Sequence, residues 1–181
     1  MENNARTELM RELGPSPFTP IAATVCLSPA LLLPFITAAA GKTSPEMFLP
    51  VLFAIILLVW AWGRFEQARK ACAESIDAPA EICGIDALYA DFRQAESFLK
   101  GKLRLGRTHL FSRSGSVVLR YSQMTGIRHL EGHDSPNEYR WLDVRGNSHV
   151  LYVISRSGDY AEMERVLTVI RQKQLGIQII D

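Results

Sequence analysis

Two stretches of the chain carry no Asp, Glu, Lys or Arg: one runs from Glu12 to Lys42, the other from Glu46 to Arg64. In the first, Ile21 to Ala40 reads IAATVCLSPALLLPFITAAA. At about 1.5 Å rise per residue a helix of that length spans roughly 30 Å, the hydrocarbon thickness of a bilayer. Pro29 and Pro34 lie inside it; a membrane helix tolerates them because neighbours and local kinks re-satisfy the freed carbonyls. The second stretch, Met47 to Gly63, is near the lower length for a span, and Pro50 falls in its first turn, where the missing N–H matters little. Trp60, Trp62 and Arg64 close it; indoles at the headgroup level beside a snorkelling guanidinium form a membrane-interface anchor. The pattern predicts an N-terminal tail over 1–17 and a two-helix transmembrane hairpin over 18–63. Its helices are expected at about 18–40 and 47–63, joined by the loop GKTSPE.

Beyond Arg64 the polar and apolar positions change character. FEQARKACAES extends the second helix into water, with Glu66 and Lys70 at favourable i,i+4 spacing, and DAPAEICG (77–84) reads as a linker, so 64–85 is a juxtamembrane helix and linker. Leu88, Phe92, Ala95 and Leu99 recur at helical spacing and predict an amphipathic helix over roughly 86–99. The period then drops to two. KGKLRLG alternates, with Lys100, Lys102 and Arg104 on one side and Leu103 and Leu105 on the other; THLFSR, SVVLRY, GIRHLEG, EYRWLDV and HVLYVIS follow, the last two as a hairpin around Gly146-Asn147. Asp159 and Glu162 resemble a capping box, and Tyr160, Met163, Leu167 and Ile170 form an apolar stripe. Gly176 suits the helix stop and IQII an extended tail. The order is helix, about six antiparallel strands, helix.

A run of short meander strands closed by one helix looks like the pleckstrin-homology-like (PH-like) superfold. The stretch LRLGRTHLFSRSGSVVLRYSQMTGIRHL resembles the opening strands of PH-like domains in small bacterial membrane proteins with an N-terminal membrane hairpin. The resemblance covers about 86–178 and is one of pattern, without a diagnostic motif. It implies an α+β PH-like domain over 86–181: an antiparallel β-roll of six to seven strands closed by a C-terminal helix. It further implies a non-catalytic binding platform for lipid head groups or partner proteins. Fold alone licenses no ligand.

Charge refines this picture. From Lys100 to Arg128 there are seven basic residues and no acid, whereas Glu74 to Glu96 holds six acids and one base. Either the acidic helix pairs with the basic strands, or Lys100, Lys102, Arg104, Arg107 and Arg113 face anionic lipid or an acidic partner. Nucleic acid is not the expected partner, since the chain from Arg64 onward has 17 basic and 15 acidic residues. Arg6, Arg11, Arg64, Arg69 and Lys70 flank the hairpin while Lys42 alone lies in its loop, which predicts both termini in the cytoplasm of an inner-membrane protein. Cys26, Cys72 and Cys83 follow no framework spacing, which fits a reducing compartment. A cleaved signal peptide ending at Ala38-Ala39-Ala40, and a hairpin buried in a soluble protein, are the competing readings of the apolar stretches.

Motifs for chemistry are weak. AAAGKTS (38–44) ends like a phosphate-binding loop but has Ile36 where the first glycine belongs. His129, Glu131, His133 and Asp134 are close in sequence without the four-ligand set of a structural zinc site. No nucleophile elbow is present. No metal and no cofactor is expected, and catalysis is not the leading reading. The expectation is a membrane-anchored interaction or sensing module. Its rivals are a membrane enzyme acting at the bilayer boundary and a small protein protecting against a toxin. The apolar segments contain no ionisable Asp, Glu, Lys, Arg or His, which argues against a proton relay through them.

Overall fold

The computed structural model describes residues 2–39, 48–131, 137–174 and 176–180. The chain divides into two compact units: residues 15–70 form one, and residues 1–14 together with 71–181 form the other. The hairpin loop 41–46, most of the phosphate-loop-like stretch, and His133 and Asp134 lie outside the described residues.

In the unit 15–70, helix α2 (Phe18–Ala39) and the first part of helix α3 (Phe48–Cys83) carry the apolar stretches. Among the described residues one helix, within α3 from Leu49, is long and apolar enough to cross a membrane; Pro20–Leu32 of α2 is a shorter apolar helix. Leu49, Phe53, Ile56, Val59 and Trp60 are exposed. Glu66 pairs with Arg69 at 3.8 Å, one position short of the expected Lys70.

The other unit begins with a departure from the expected tail. Residues Glu2–Leu13 form helix α1, because Leu9 and Leu13 share one face and bury it completely. They pack with Cys72, Ile76, Leu88, Phe92, Phe111 and Val118. The expected linker 77–84 is also helical: α3 runs through Pro79 to Cys83. Pro79 cannot donate to the Ser75 carbonyl. Burial of Cys72 and Ile76 in the cluster around Leu9 outweighs that loss, so tertiary packing decides the local structure. Helix α4 (Ile85–Gln94) follows and ends earlier than the periodicity predicts.

The chain after α4 forms strand β1 (Glu96–Phe98), a tight 3-10 turn at Leu99–Gly101, and strand β2 (Leu103–Leu105). Helical spacing disguised β1, whereas β2 falls where the alternation in KGKLRLG predicts a strand. Leu99 and Lys100 take left-handed φ of 53° and 57°, a conformation non-glycine residues resist. The Leu99 N–H donates to Glu162 Oε1 at 2.6 Å, which holds the turn. Strands β3 (His109–Ser112) and β4 (Val117–Arg120) complete a sheet of order β1-β2-β3-β4. Leu105, Leu110 and Leu119 stand opposite one another across it, all buried.

Strands β5 (Met124–Leu130), β6 (Glu138–Asp143) and β7 (Ser148–Val153) meander into a second sheet. The predicted extended tail becomes β8 (Gln178–Ile180), parallel to β5, giving the order β7-β6-β5-β8. Helix α5 (Asp159–Lys173) buries Met163, Val166, Leu167 and Ile170 in a core shared by both sheets. The expected stripe is thus present, but the capping box is not formed. Asp159 Oδ2 accepts from the Ser155 and Arg156 N–H groups and the Tyr152 hydroxyl, and Glu162 serves the β1–β2 turn. Ser112 Oγ donates to the Leu151 carbonyl at 2.5 Å and ties the two sheets together. Among the described residues seven strands precede α5, one more than the sequence revealed.

Candidate functional site

The five basic positions singled out by the sequence do not share one strand face. Lys100 lies in the left-handed turn and Lys102 follows it, so the alternation that begins with them is broken by the β1–β2 turn. Only Arg104 belongs to a strand. Its guanidinium lies 4.5 Å above the Phe92 ring and 4.0 Å from Glu12, half-buried between α4 and α1. Lys102 Nζ reaches Ser155 Oγ at 3.2 Å and lies 5.5 Å above the Tyr152 ring. Arg104 and Lys102 therefore serve internal packing. Lys100, Arg107 and Arg113 are exposed, and among the described residues no acid pairs with them. The acid that Arg104 meets is Glu12 of α1, outside the acidic segment Glu74 to Glu96.

Trp60, Trp62 and Arg64, expected from the sequence to lie at a membrane interface, follow one another along α3. The Arg64 guanidinium lies 5.9 Å from the Trp60 ring, Trp62 Nε1 donates to Thr24 Oγ1 at 3.2 Å, and Trp62 meets Phe65 edge-on at 6.0 Å. His129 stacks on Tyr139 at 4.6 Å and meets Tyr160 edge-on. Among the described residues no three side chains are grouped to hold a metal.

Among the described residues of this unit, the most heavily bonded side chain is one that sequence reasoning passed over. Asp91, near the end of α4, reaches into the turn between β2 and β3 and accepts from the N–H groups of Arg107, Thr108 and His109 at 2.5, 3.3 and 3.0 Å. It also accepts from Thr108 Oγ1 at 3.0 Å and meets His109 Nδ1 at 3.1 Å. Burial works against its charged form; the bonds from Arg107, His109 and Thr108 outweigh that and hold the carboxyl below its ordinary value. Gly106 makes the room, since a Cβ there would stand 2.6 Å from the Asp91 carboxyl atoms. The Gly106 carbonyl accepts from Lys173 Nζ at 2.5 Å and the Tyr121 hydroxyl at 3.2 Å. Burial, and secondarily the Asp91 charge, push the Tyr121 hydroxyl far above its ordinary range.

The His109 Nδ1 atom lies 2.8 Å from Thr108 Oγ1 and 3.1 Å from Asp91 Oδ2. His109 is 4% exposed. No spacing rule announces this arrangement: Asp91 and His109 lie in different elements, and only the docking of α4 on β3 joins them. Comparison with protein-family models, with curated proteins and with solved structures gives no match for this chain.

Proposed function

We propose that the chain is a membrane-anchored interaction module. In this reading a two-helix transmembrane hairpin, α2 and α3 to about Gly63, holds a PH-like domain at the cytoplasmic face of an inner membrane. The domain binds a protein partner or anionic lipid head groups. The observation that carries the reading is α1. Leu9 and Leu13 are buried against Ile76, Leu88 and Phe92, and Arg6 makes two hydrogen bonds of 2.8 Å to Asp77. The chain thus enters and leaves the apolar unit 15–70 from one folded body. A body lies on one side of a membrane, so the segment between must cross an even number of times. In this reading α3 makes one crossing, and α2, with its 22 residues and no charged side chain, makes the second.

Support for a PH-like roll comes from strand order: a four-stranded sheet, then three more meander strands, then a helix whose apolar face enters the shared core. Orientation rests on Arg64, Arg69 and Lys70 flanking the apolar stretch. For lipid, the candidates narrow to Lys100, Arg107 and Arg113, the exposed members of the basic set. Anionic lipid attracts such residues by about 1 kcal/mol each near the surface.

The test uses single engineered cysteines in a background freed of the native three. Impermeant maleimide added to intact cells should label Lys42→Cys but neither Thr7→Cys nor Ser148→Cys. Labelling of Thr7→Cys and Ser148→Cys on opposite sides would refute the even crossing. Purification in mild detergent, with identification of retained lipids and proteins, then reads the ligand class. A preparation that retains neither would remove the interaction role.

A further inference from the structure

Between the last turns of α3 and the adjoining ends of β3 and β4 lies a cavity of about 100 Å³, walled by Pro79, Ile82, His109, Arg120 and Gln123. We infer that it binds a phosphate monoester carrying a short apolar substituent. Strand register sets the polar side. His109 of β3 stands directly opposite Arg120 of β4, so the two side chains leave the same face of the sheet with Cβ atoms about 4.5–5.5 Å apart. Phe111 and Val118, buried with residues of α3 and α4, share that face. Arg120 is exposed, and among the described residues no acid pairs with its guanidinium. Gln123 accepts from the Arg120 N–H through Oε1 at 3.2 Å, which leaves its amide NH2 to a ligand. His109 is buried with Nδ1 turned to Thr108 and Asp91, so Nε2 is the ring's remaining polar atom, and it has no hydrogen-bond partner among the described residues. Pro79 and Ile82 supply an apolar wall, and Ile82 is 68% exposed.

These parts select the ligand. A guanidinium takes two oxygens of a phosphate in a fork of charge-assisted hydrogen bonds. Near neutral pH a phosphate monoester is close to its second pKa of about 6, so it offers oxygens that accept and, in its singly charged form, a hydroxyl that donates. It therefore complements Nε2 in either tautomer, whereas a carboxylate, which only accepts, complements one. The volume is a few times that of a water molecule; it admits the phosphate and the first carbons of its substituent, not a nucleotide. Two features oppose an anion. Asp91 lies behind His109, but its oxygens already accept from Arg107, Thr108 and His109. The carbonyl end of α3 carries about half a negative charge and acts only over its last turn, less than the full charge of Arg120. The cavity is walled by none of Lys100, Arg107 and Arg113, so it stands apart from the exposed basic residues on which the lipid-binding role rests.

Full-length protein in a neutral detergent is titrated calorimetrically, at neutral pH and constant ionic strength, with butyl phosphate, inorganic phosphate and butyrate. Butyl phosphate should bind tightest, and about tenfold more tightly than butyrate. Arg120→Ala, at an exposed position, should weaken butyl phosphate by about tenfold or more, and His109→Gln should narrow its advantage over butyrate. Ile82→Ser should remove the preference for butyl phosphate over inorganic phosphate and leave inorganic phosphate binding unchanged. A melting curve on each variant checks that it is folded. Repeating the titration in nanodiscs separates the two sources of this chemistry. Phosphatidic acid in the disc, but not the diester phosphatidylglycerol, should compete with butyl phosphate where the natural ligand is a lipid; unchanged binding assigns the cavity to a soluble phosphorylated molecule. No saturable binding of butyl phosphate, butyrate as tight as butyl phosphate, or binding unaffected by Arg120→Ala would overturn the assignment.

Discussion

Arg6 and Asp77, 71 positions apart, meet through two hydrogen bonds of 2.8 Å. The pair joins α1 to the last turns of α3, yet it is not what holds α1 in place. Both side chains are nearly half exposed, at 47% and 44%, and pairs of that kind contribute about 0–1 kcal/mol. Leu9 is fully buried, and truncating such a leucine to alanine costs about 2–5 kcal/mol. Denaturant melts should therefore show Leu9→Ala well below wild type and Arg6→Gln within about 1 kcal/mol of it. The reverse ranking would mean that the ion pair, not the leucines, docks the helix.

The same packing sets where the folded unit begins. A fragment starting near Ala80 looks self-sufficient from its strand and helix pattern. In the structure it would lack Leu9, Leu13, Cys72 and Ile76 and leave Leu88, Phe92, Phe111 and Val118 uncovered. Residues 71–181 alone should bind a hydrophobic dye and melt early. Adding a synthetic peptide of residues 1–14 should raise the melting temperature in a dose-dependent way, and no response to the peptide would contradict the two-segment core.

The Asp91 cradle can be broken without touching Asp91. Gly106→Ala places a methyl group 2.6 Å from its carboxyl atoms, so the carboxylate must leave the turn and forfeit several hydrogen bonds, a loss of about 2 kcal/mol or more. Gly146→Ala is the contrast. Its φ of 80° strains a substituted residue, but nothing stands within 4 Å of the new Cβ; that cost should be about 1–2 kcal/mol. Calorimetry on both variants reads the difference.

Acid should unfold this unit through carboxylates. Asp91 and Asp159 are held below their ordinary values, and Asp143 falls to about 2, with the Asn147 side chain as the largest cause. A carboxyl with a lowered folded-state pKa contributes stability above its unfolded value and loses it as pH falls through the folded one. Melting temperature should thus be level above about pH 5 and decline from there towards pH 2. In Asp91→Asn the decline should be shallower from a lower plateau; an identical slope would remove Asp91 from the titration.

Leu167 was legible as a core residue from its spacing with Met163 and Ile170, and it is 3% exposed. Leu167→Asp buries an uncompensated charge at a cost of several kcal/mol. That is a large share of a small domain's stability, and the variant should fail to show a cooperative melt.

What could be read from the chain followed the strength of each periodic signal. The long apolar runs, the meander and α5 each repeat one signal over many residues. β1 occupies three residues, and Phe98 and Leu99 also satisfy a helical stripe, so the hairpin at Lys100 vanished into a predicted helix. Helix α1 offers Leu9 and Leu13 but no capping signal, and its partners Ile76 and Leu88 lie beyond the apolar segments. Pro79 argued for a break that burial of its neighbours overrides. Cys83, His109 and Arg120 line one cavity from three elements, and Asp91 meets His109 from a fourth; only tertiary structure brings them together.

Because the first 14 residues belong to the same unit as 71–181, assembly of that unit has an order imposed by synthesis. The leading helix emerges from the ribosome before any surface exists to receive Leu9 and Leu13. It must wait while α2 and α3 are made and until β3 and β4 supply Phe111 and Val118. In the proposed two-crossing topology, a chain whose α1 were carried across the bilayer could not close the core around Leu9 and Leu13, so that closure would be open only to chains with both flanks on one side.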